Sequence, residues 1–562
     1  MCAGPWTDER VRQHVGPLFS RHCAALAGRA YLANHSLGRP LDATADDVRE
    51  GLDAWYAAMG DAWEAWEAEE RAHRARLAAL LGATREDSVV PKTSAGQGLR
   101  AVLGSYDRPP RVVSTRGEFD SLDVILREWA RRGRLTLALV EPRPPVAGAS
   151  DARALPRFDA ADILAAIAPG TDLVVVSDVM FQTGERIVAL PDIVARAHAC
   201  GARVLVDVYH SLGVLPLDVA AAGIDFAVGG CYKYLRGGPG ACFLYVAPRW
   251  LDEGLRTVDT GWFAKARRFD YRRPEPPEFA RGGDAWLEST PPVLAAYQAR
   301  AGQRFALALG VGRLREDSLA KQASLVGRLS DHGVVAVGGT PARGAFVVVP
   351  FLEAPDGYAA WVADTLAARG IVADARGPFL RLCPDVLTSV GRRRARRARR
   401  RFHREGGTRL KGTRWTTRGR VSGRRHRHPN EPCPCGAAAA TGPAAGDHAV
   451  PARGALDDDD ARTMPFEAHQ ARRIATASRL IGARWRNPRS SPNALPDAGR
   501  DASRDRRPSF RARLHARGHA PVRGIGPAGE SADSSNPAAD AAHRRPPGTR
   551  DLLKRHGIAP SP

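Results

Sequence analysis

Short apolar runs alternate with amphipathic segments along the first 390 residues of the chain. The apolar runs predict buried strands at 111–115, 171–179, 202–210 and 241–248. Between them, apolar residues recur with helical period at 122–133 and 190–202, which predicts helices. Strands that are apolar on both faces and alternate with helices are typical of parallel sheets covered by helices. The chain is therefore predicted to be an α/β protein with a mostly parallel central sheet.

The pattern changes after about residue 290. Two prolines open the segment 290–316, whose periodicity predicts one long helix between two domains. A further apolar run, a helical pattern and an extended segment predict a small α+β domain; they lie at 345–353, 358–370 and 370–384. We thus expect an N-terminal segment packed on the small domain, a large domain, the small domain and a tail. Their predicted bounds are 1–50, 51–290, 291–390 and 391–562.

Charge divides the chain at the same place. Residues 1–390 carry 45 Lys and Arg against 46 Asp and Glu, whereas residues 391–562 carry 38 against 15. The net charge of +22 therefore belongs to the tail. Its composition is rich in arginine, alanine, glycine, proline and serine, and its few apolar side chains cannot offset the entropy lost on ordering. A disordered, basic tail is predicted.

The tail has two interpretations. An Arg-rich arm would bind nucleic acid through the phosphates. Alternatively, abundant arginine with only two lysines, Lys411 and Lys554, is what a GC-rich gene yields when it is translated out of frame, and this interpretation is favoured. Cys433 and Cys435 lie near histidines in the segment 426–436, but two thiols without a surrounding fold do not make a zinc site. No metal is predicted.

Localisation follows from what the sequence lacks. The N-terminal residues do not have the charged-then-apolar order of a signal peptide, and no window approaches about 18 apolar residues in succession. The eight cysteines do not follow the spacing of a secreted disulfide scaffold. We therefore expect a cytoplasmic protein without a membrane span.

Candidate chemistry centres on the segment 225–246, DFAVGGCYKYLRGGPGACFLYV. Lys233 stands there between two tyrosines and before a turn rich in glycine and proline. Asp207 ends an earlier apolar run, at a strand end where parallel sheets bind ligands. A lysine that condenses with an aldehyde, and a carboxylate that keeps a ring nitrogen protonated, suit pyridoxal phosphate. A surface lysine and a solvated aspartate would give the same pattern, so the interpretation needs further features.

Two further segments suit a cofactor site. Ser94 and Ala95 lie in PKTSAGQGL, before a helical stretch, where helix-start amides can bind a phosphate. Phe119 follows the predicted strand 111–115, so its ring could stack on a pyridine ring. An ordinary helix cap and a core phenylalanine are the alternatives for these residues.

These segments resemble the kynureninase family. The likeness covers most of residues 25–388 in unbroken order and rests on YLANHSLGRP, VDVYHSLGVLPLD, GGCYKYLRGGPG, TGWF and STPP. Kynureninases belong to the class V aminotransferase superfamily of fold-type I pyridoxal phosphate enzymes. The resemblance implies that fold, with a small α+β C-terminal domain, and pyridoxal 5'-phosphate as the cofactor. It also implies an α-amino acid as the substrate and a homodimer with a shared active site.

The resemblance assigns roles position by position. Lys233 would hold the cofactor covalently, Asp207 would pair with its ring nitrogen, and His210 would lie beside the ring; these are the predicted catalytic residues. Ser36 and Arg381 would bind the substrate, and the arginine fork would grip the α-carboxylate. Trp262 would come from the partner subunit. The remaining cofactor-binding residues would be Ser94, Ala95, Phe119, Tyr232, Trp262 and Thr290.

Departures from the family lie on the substrate side. Thr290 stands where the family has Asn before paired prolines, and Asp61 stands where it has His. Met180 and Phe181 replace Asn and Tyr. The cofactor half of the site thus matches the family, whereas the half that selects the substrate is altered.

The predicted function is a kynureninase-like hydrolase that cleaves the Cβ–Cγ bond of kynurenine or a related substrate to give alanine. A class V aminotransferase or lyase acting on another amino acid is the alternative within the same chemistry. An Arg-rich nucleic-acid-binding protein and an inactive product of a frameshifted gene are the alternatives outside it.

Overall fold

The computed structural model describes residues 7–389 of the chain. The basic tail, its nucleic-acid interpretation and the cysteine pair in 426–436 lie outside the described residues. The strands are β1 (Ala30–Tyr31), β2 (Val89–Lys92), β3 (Arg111–Thr115), β4 (Thr136–Val140), β5 (Leu173–Ser177), β6 (Arg203–Asp207), β7 (Phe226–Gly230), β8 (Cys242–Val246), β9 (Val347–Pro350), β10 (Ile371–Val372), β11 (Asp374–Arg376) and β12 (Phe379–Leu382). The α-helices are α1 (Asp8–Arg10), α2 (Ser20–Ala25), α3 (Ala43–Ala58), α4 (Ala62–Leu81), α5 (Ala95–Leu103), α6 (Asp120–Arg131), α7 (Ala160–Ala166), α8 (Leu190–Ala199), α9 (Pro248–Asp252), α10 (Val293–Leu309), α11 (Val311–Ser330) and α12 (Tyr358–Ala368). None of the helices in the described range has the length and apolar content needed to cross a bilayer.

Seven strands form the central sheet, in the order β2-β8-β7-β6-β5-β3-β4. Five adjacent strands run parallel to one another: β7, β6, β5, β3 and β4. Strand β8 is antiparallel to both of its neighbours, β7 and β2. The predicted α/β class with a mostly parallel sheet is confirmed. Because helices cover both faces of such a sheet, its inner strands need apolar residues at every position.

The sequence of strand β6 explains its central position in the sheet. Val204 and Val206 belong to one buried apolar cluster, to which helices α4, α7 and α8 contribute. Leu205 belongs to the cluster on the other face, to which α5 and α6 contribute. Burying a side chain of this size contributes roughly 1.5–3 kcal/mol. A strand that is apolar on both faces gains this contribution in full only between two helical layers.

A three-stranded antiparallel sheet, in the order β11-β12-β9, lies near the C-terminal end of the described chain. Helix α12 packs on it, and Val362 and Leu366 share a buried cluster with Val347 and Leu380. Strand β1 pairs in parallel with β10, so the N-terminal segment is attached to this part of the molecule. The exact domain bounds stay a prediction.

The prediction of one long helix over 290–316 is wrong. The structure has two helices, α10 and α11, separated by Gly310 at φ +80°. Glycine adopts a positive φ readily, and it commonly ends helices. Apolar residues continue with helical period through the glycine, so periodicity alone does not reveal the break. Helix α10 packs against α3 and α4.

Close backbone contacts hold the lysine loop, defined as residues 231–240. A Cβ added at Gly302 of α10 would lie 1.7 Å from the carbonyl oxygen of Leu235. A Cβ added at Gly38 would lie 1.9 Å from the carbonyl oxygen of Lys233. Only glycine permits such approaches, so the loop is held between α10 and the N-terminal segment.

A buried ion pair attaches the same loop to the last described residues. Arg236 Nη2 lies 2.6 Å from Asp385 Oδ1, and Nη1 lies 3.1 Å from Oδ2. Arg39 Nε, from the N-terminal segment, lies 3.7 Å from the same carboxylate. Burial raises the pKa of Asp385, but the two arginine charges outweigh this effect and hold the pKa well below its usual range. Segments far apart in sequence therefore meet at one carboxylate.

We expect Gly302→Ala to destabilise the protein. The new methyl group would overlap the Leu235 carbonyl, and overpacking of this kind costs about 1–3 kcal/mol. Differential scanning fluorimetry should show a lower unfolding temperature. The matched control is Gly312→Ala in α11, where an added Cβ meets no atom within 4 Å. The control should keep or slightly raise the unfolding temperature, because alanine favours helix over glycine. Equal temperatures for Gly302→Ala and the parent would contradict the packing described.

Candidate active site

Strands of the central sheet end at one edge, and several of their last residues are polar. Asp207 ends β6, Ser177 ends β5 and Thr115 ends β3. Strand β7 ends at Gly230, directly before the lysine loop. In parallel α/β sheets, ligands bind outside the carboxyl ends of the strands. A ligand is therefore expected to bind at this edge.

A cavity of about 210 Å³ opens at this edge. A second crevice, of about 240 Å³, lies near Arg74 and Asp284. Those two side chains pair with each other, and no predicted site residue lines that crevice, so we place the chemistry in the first cavity. The first cavity brings together predicted residues from four separate segments of the chain. These are Ser94, Ala95, Phe119, Asp207, His210, Tyr232 and Lys233.

The Lys233 amine lies in a buried, largely aromatic environment. Its Nζ is 2.8 Å from His210 Nε2. It also lies 5.6 Å from the ring centroid of Phe119 and 5.1 Å from that of Tyr209. Burial lowers the pKa of Lys233 to about 7, against the opposing effect of the Asp207 charge. The neutral amine, which can act as a nucleophile or base, is therefore populated near neutral pH.

Two buried carboxyl groups lie near the strand ends: Asp207 lines the cavity, and Glu118 bonds to the cavity-lining Ser177. Burial raises the pKa of Asp207 to about 6, although the Tyr209 amide donates to Oδ1 at 2.8 Å. Burial also raises the pKa of Glu118 to about 7, although the hydroxyls of Thr115 and Ser177 donate to it at 2.7 and 2.6 Å. A cationic group placed against Asp207 would favour its ionised form.

The helix-start segment predicted for a phosphate begins α5. Ser94 is the N-cap, and its Oγ accepts a hydrogen bond from the Gln97 amide at 3.1 Å. The first amides of a helix have no intrahelical acceptor, so those of Ala95 and Gly96 can donate to an anion. Ser94 and Ala95 line the cavity that holds the Lys233 amine.

These groups fit pyridoxal phosphate. The cavity offers an amine for the aldehyde, a carboxylate for the ring nitrogen and helix-start amides for the phosphate. Phe119, beside Lys233, offers an aromatic face for the ring. His210 contributes a buried Nδ1 that has no hydrogen-bond partner within the described residues. Each part of the cofactor thus has a chemically matched group on the same cavity.

The predicted substrate residues lie next to the cavity. Arg381 Nε lies 2.9 Å from Asp374 Oδ1, and its Nη2 lies 2.7 Å from Asp374 Oδ2. Arg381 Nη1 donates to the carbonyl oxygen of Phe181, which lines the cavity. Ser36 Oγ donates to Asp374 and lies 3.4 Å from Arg381 Nη2. Asp374 and its partner His35 were not candidates in the sequence analysis.

Two predicted cofactor residues do not line the cavity within one chain. Trp262 packs against Phe263 and Phe269, with ring centroids 4.5 and 5.9 Å apart. Thr290 is exposed. Their contact with the cofactor stays a prediction.

Sequence reasoning missed several residues that line the cavity. Ser177 and Tyr209 lie at or just beyond strand ends, as Asp207 does, so the same signal could have identified them. Phe181 was considered only as a departure from the family. Glu118 and Asp374 do not line the cavity but contact residues near it, and neither gives a local signal, because Ser177 and His35, to which they bond, are distant in sequence.

Comparisons with known proteins identify the family. The family described as Aminotransferase class-V matches residues 55–378. A kynureninase from Salinispora tropica is 32% identical over 394 residues, which cover 64% of this chain and 86% of the relative. A kynureninase from Pseudomonas fluorescens is 30% identical over 375 residues, which cover 62% of this chain and 83% of the relative.

Solved structures share the fold. The cystine C–S lyase C-DES, in complex with its product cysteine persulfide, has a TM-score of 0.56 at 19% identity, covering 65% of this chain and 95% of that one. A cysteine desulfurase from Thermococcus onnurineus NA1 has a TM-score of 0.55 at 17% identity, covering 69% of this chain and 95% of that one. With these matches, the cavity and the family agree: the chain belongs to the class V aminotransferase family, has the fold-type I architecture, uses pyridoxal phosphate and is kynureninase-like in sequence.

Proposed function

We propose that this protein is a hydrolase that cleaves the Cβ–Cγ bond of an α-amino acid with a γ-carbonyl group, kynurenine or a related compound, and releases alanine. The observation that carries the proposal is that Lys233 and Asp207 line one cavity, and that His210 is hydrogen-bonded to Lys233. The kynureninase relatives support the hydrolytic branch over the others.

When bound, pyridoxal phosphate supplies a carbonyl that condenses with amines and a ring that accepts the electron pair left by a broken bond to the substrate α-carbon. Asp207 would hold a proton on the ring nitrogen. Its burial strengthens this charge pairing, because the effective dielectric is low there. The helix-start amides of Ala95 and Gly96 would donate hydrogen bonds to the phosphate.

Lys233 is the group that would move protons at the substrate carbons. With a pKa lowered by burial to about 7, its amine can accept the α-proton near neutral pH and return a proton later. Burial and the Lys233 charge lower the pKa of His210 well below its usual range, so His210 is neutral. A neutral His210 Nε2 can accept a hydrogen bond from the lysine and orient it.

A class V aminotransferase or lyase is the second candidate. Phe181 lines the cavity and packs edge-on against Phe119, with ring centroids 5.2 Å apart. Phe181 stands where the resemblance implies a tyrosine. The part of the cavity wall that Phe181 forms therefore lacks a hydroxyl that could bind a polar substrate group. Such a difference favours a substrate other than kynurenine itself.

A homodimer is part of the proposal. Trp262 and Thr290 lie outside the cavity of their own chain, so their predicted cofactor contacts require the cavity of a second copy. Size-exclusion chromatography with light scattering measures the assembly, and a monomer would remove both residues from the proposed site.

The reaction is tested by offering the holoenzyme kynurenine, 3-hydroxykynurenine and a panel of amino acids. We expect alanine to be released together with the aromatic acid, because water adds across the Cβ–Cγ bond. Amine transfer to a 2-oxo acid without alanine release would support the second candidate. Cofactor binding without turnover of any compound would contradict the hydrolase proposal.

We expect Lys233→Ala to lose the visible absorbance of the lysine-bound cofactor. Turnover should fall at least about 10²–10⁴-fold, because the proton-transfer group is removed. Lys265→Ala is the matched control, since Lys265 lies outside the cavity and bonds to the Arg272 carbonyl. A retained absorbance band in Lys233→Ala would show that another amine holds the cofactor.

We expect the rate of cofactor uptake by the apoprotein to rise as the pH passes through about 7, the lowered pKa of Lys233. The neutral amine attacks the aldehyde, and the amine is charged below its pKa. Stopped-flow absorbance after addition of pyridoxal phosphate measures this rate. Because the Asp207 charge raises the pKa of Lys233, Asp207→Asn should move the inflection to lower pH. A rate that rises only as the pH approaches about 10 would indicate an ordinary exposed lysine.

A further inference from the structure

We propose that Asp374 is a positioning residue that holds one edge of the Arg381 guanidinium, so that the opposite edge can bind the carboxylate of an α-amino acid substrate. This inference rests on the proposed function. It adds to the proposed function a residue that, by positioning Arg381, favours ligands with a carboxylate over simple amines.

The backbone places the two side chains together. Asp374 on β11 and Arg381 on β12 are register partners in an antiparallel pair. Directly opposite residues of such a pair project from the same face of the sheet. The two hydrogen bonds, 2.9 Å from Nε and 2.7 Å from Nη2, therefore form without distortion of either strand. This side-on, bidentate contact fixes the plane of the guanidinium as well as its position.

Asp374 is itself held by the N-terminal segment. His35 Nε2 lies 2.9 Å from Asp374 Oδ1, and Ser36 Oγ donates to Oδ2. The His35 ring is fully buried and stacks on Phe346, with ring centroids 4.7 Å apart. Burial raises the pKa of Asp374, but the bonds from His35 and Arg381 outweigh this and hold the pKa well below its usual range. The carboxylate is thus ionised and held from two sides.

Asp374 does not occupy all the donors of Arg381, and the others lie close to a residue that lines the cavity. A guanidinium has five N–H donors, and Asp374 accepts from two of them. Nη1 donates to the Phe181 carbonyl, which belongs to a cavity-lining residue. The second N–H of Nη2 has only a long contact, 3.4 Å, to Ser36 Oγ. The edge formed by Nη1 and Nη2 is therefore the one from which a substrate carboxylate can accept hydrogen bonds.

A competing role is that Asp374 occupies Arg381 until a substrate carboxylate displaces it. The contacts argue against displacement. Moving Asp374 away would leave His35 Nε2 without its acceptor at a fully buried position, and an unpaired buried polar group costs about 1–3 kcal/mol. The pair is also fixed by strand register. The geometry thus favours a permanent support over a removable one.

The experiment titrates the holoenzyme with L-alanine and, separately, with ethylamine, which has the amine but no carboxylate. Binding is followed by the change in the visible spectrum of the cofactor. In Asp374→Asn we expect the Kd for L-alanine to rise by about 10- to 100-fold, the loss expected when a binding group is misplaced by about 1 Å. The Kd for ethylamine should change less than about twofold, equivalent to about 0.4 kcal/mol, because ethylamine has no carboxylate for Arg381 to bind.

Two further variants separate position from charge. Asp374→Glu keeps the charge but moves the carboxylate by one methylene, so a positioning role predicts the same selective loss for L-alanine. Arg376→Gln is the matched control: Arg376 Nη2 lies 3.9 Å from Asp374 Oδ2, but its side chain is half exposed. We expect Arg376→Gln to leave the selectivity for L-alanine over ethylamine unchanged.

Each other outcome overturns the inference. Tighter L-alanine binding in Asp374→Asn would show that Asp374 competes with the substrate. Unchanged L-alanine binding in both Asp374 variants would show that it plays no part, and equal losses for both ligands would show a general structural role. If the unaltered holoenzyme responds to neither ligand, the proposed function fails and the inference fails with it. If the parent binds L-alanine and the Asp374 variants bind it equally well, only the inference is overturned and the proposed function stands.

Discussion

The site depends on one buried ion pair, between Arg236 of the lysine loop and Asp385 near the end of the described chain. Removing one partner of such a pair costs about 3–5 kcal/mol, because the other charge is left in a low-dielectric interior. The pair therefore makes the position of Lys233, three residues before Arg236, conditional on the small antiparallel sheet being in place. Gly38 and Gly302 reinforce the same constraint through backbone contact. The amine is thus positioned by three segments that are remote in sequence.

Desolvation is the common cause of the pKa shifts in and beside the cavity that holds Lys233. It lowers the pKa of Lys233 and raises those of Asp207 and Glu118, so all three groups are shifted toward their neutral forms. A bound phosphate and a protonated ring nitrogen would bring their own charges into this environment. Such charges would favour the ionised forms of the groups that pair with them.

The sequence predicted those features that are encoded locally. Apolar runs such as Val204–Val206 identified the parallel sheet, and an acid at the end of such a run identified the binding edge. Seven predicted residues line the cavity because each lies at or near a strand end or a helix start. The break at Gly310 was missed, since apolar periodicity continues through it. Asp374 was missed because its importance arises from strand register and from His35, more than 300 residues earlier.

The pairing of β1 with β10 has a consequence for how the protein is made. Residues 30–39 leave the ribosome early, yet their partners at 371–385 are synthesised about 340 residues later. At about 5–20 residues per second, this interval lasts on the order of tens of seconds. Throughout it, the N-terminal segment has no strand to pair with, and Arg236, once made, has no carboxylate until Asp385 follows 149 residues later. The nascent chain can therefore fix its lysine loop in place only when the last described residues have been made.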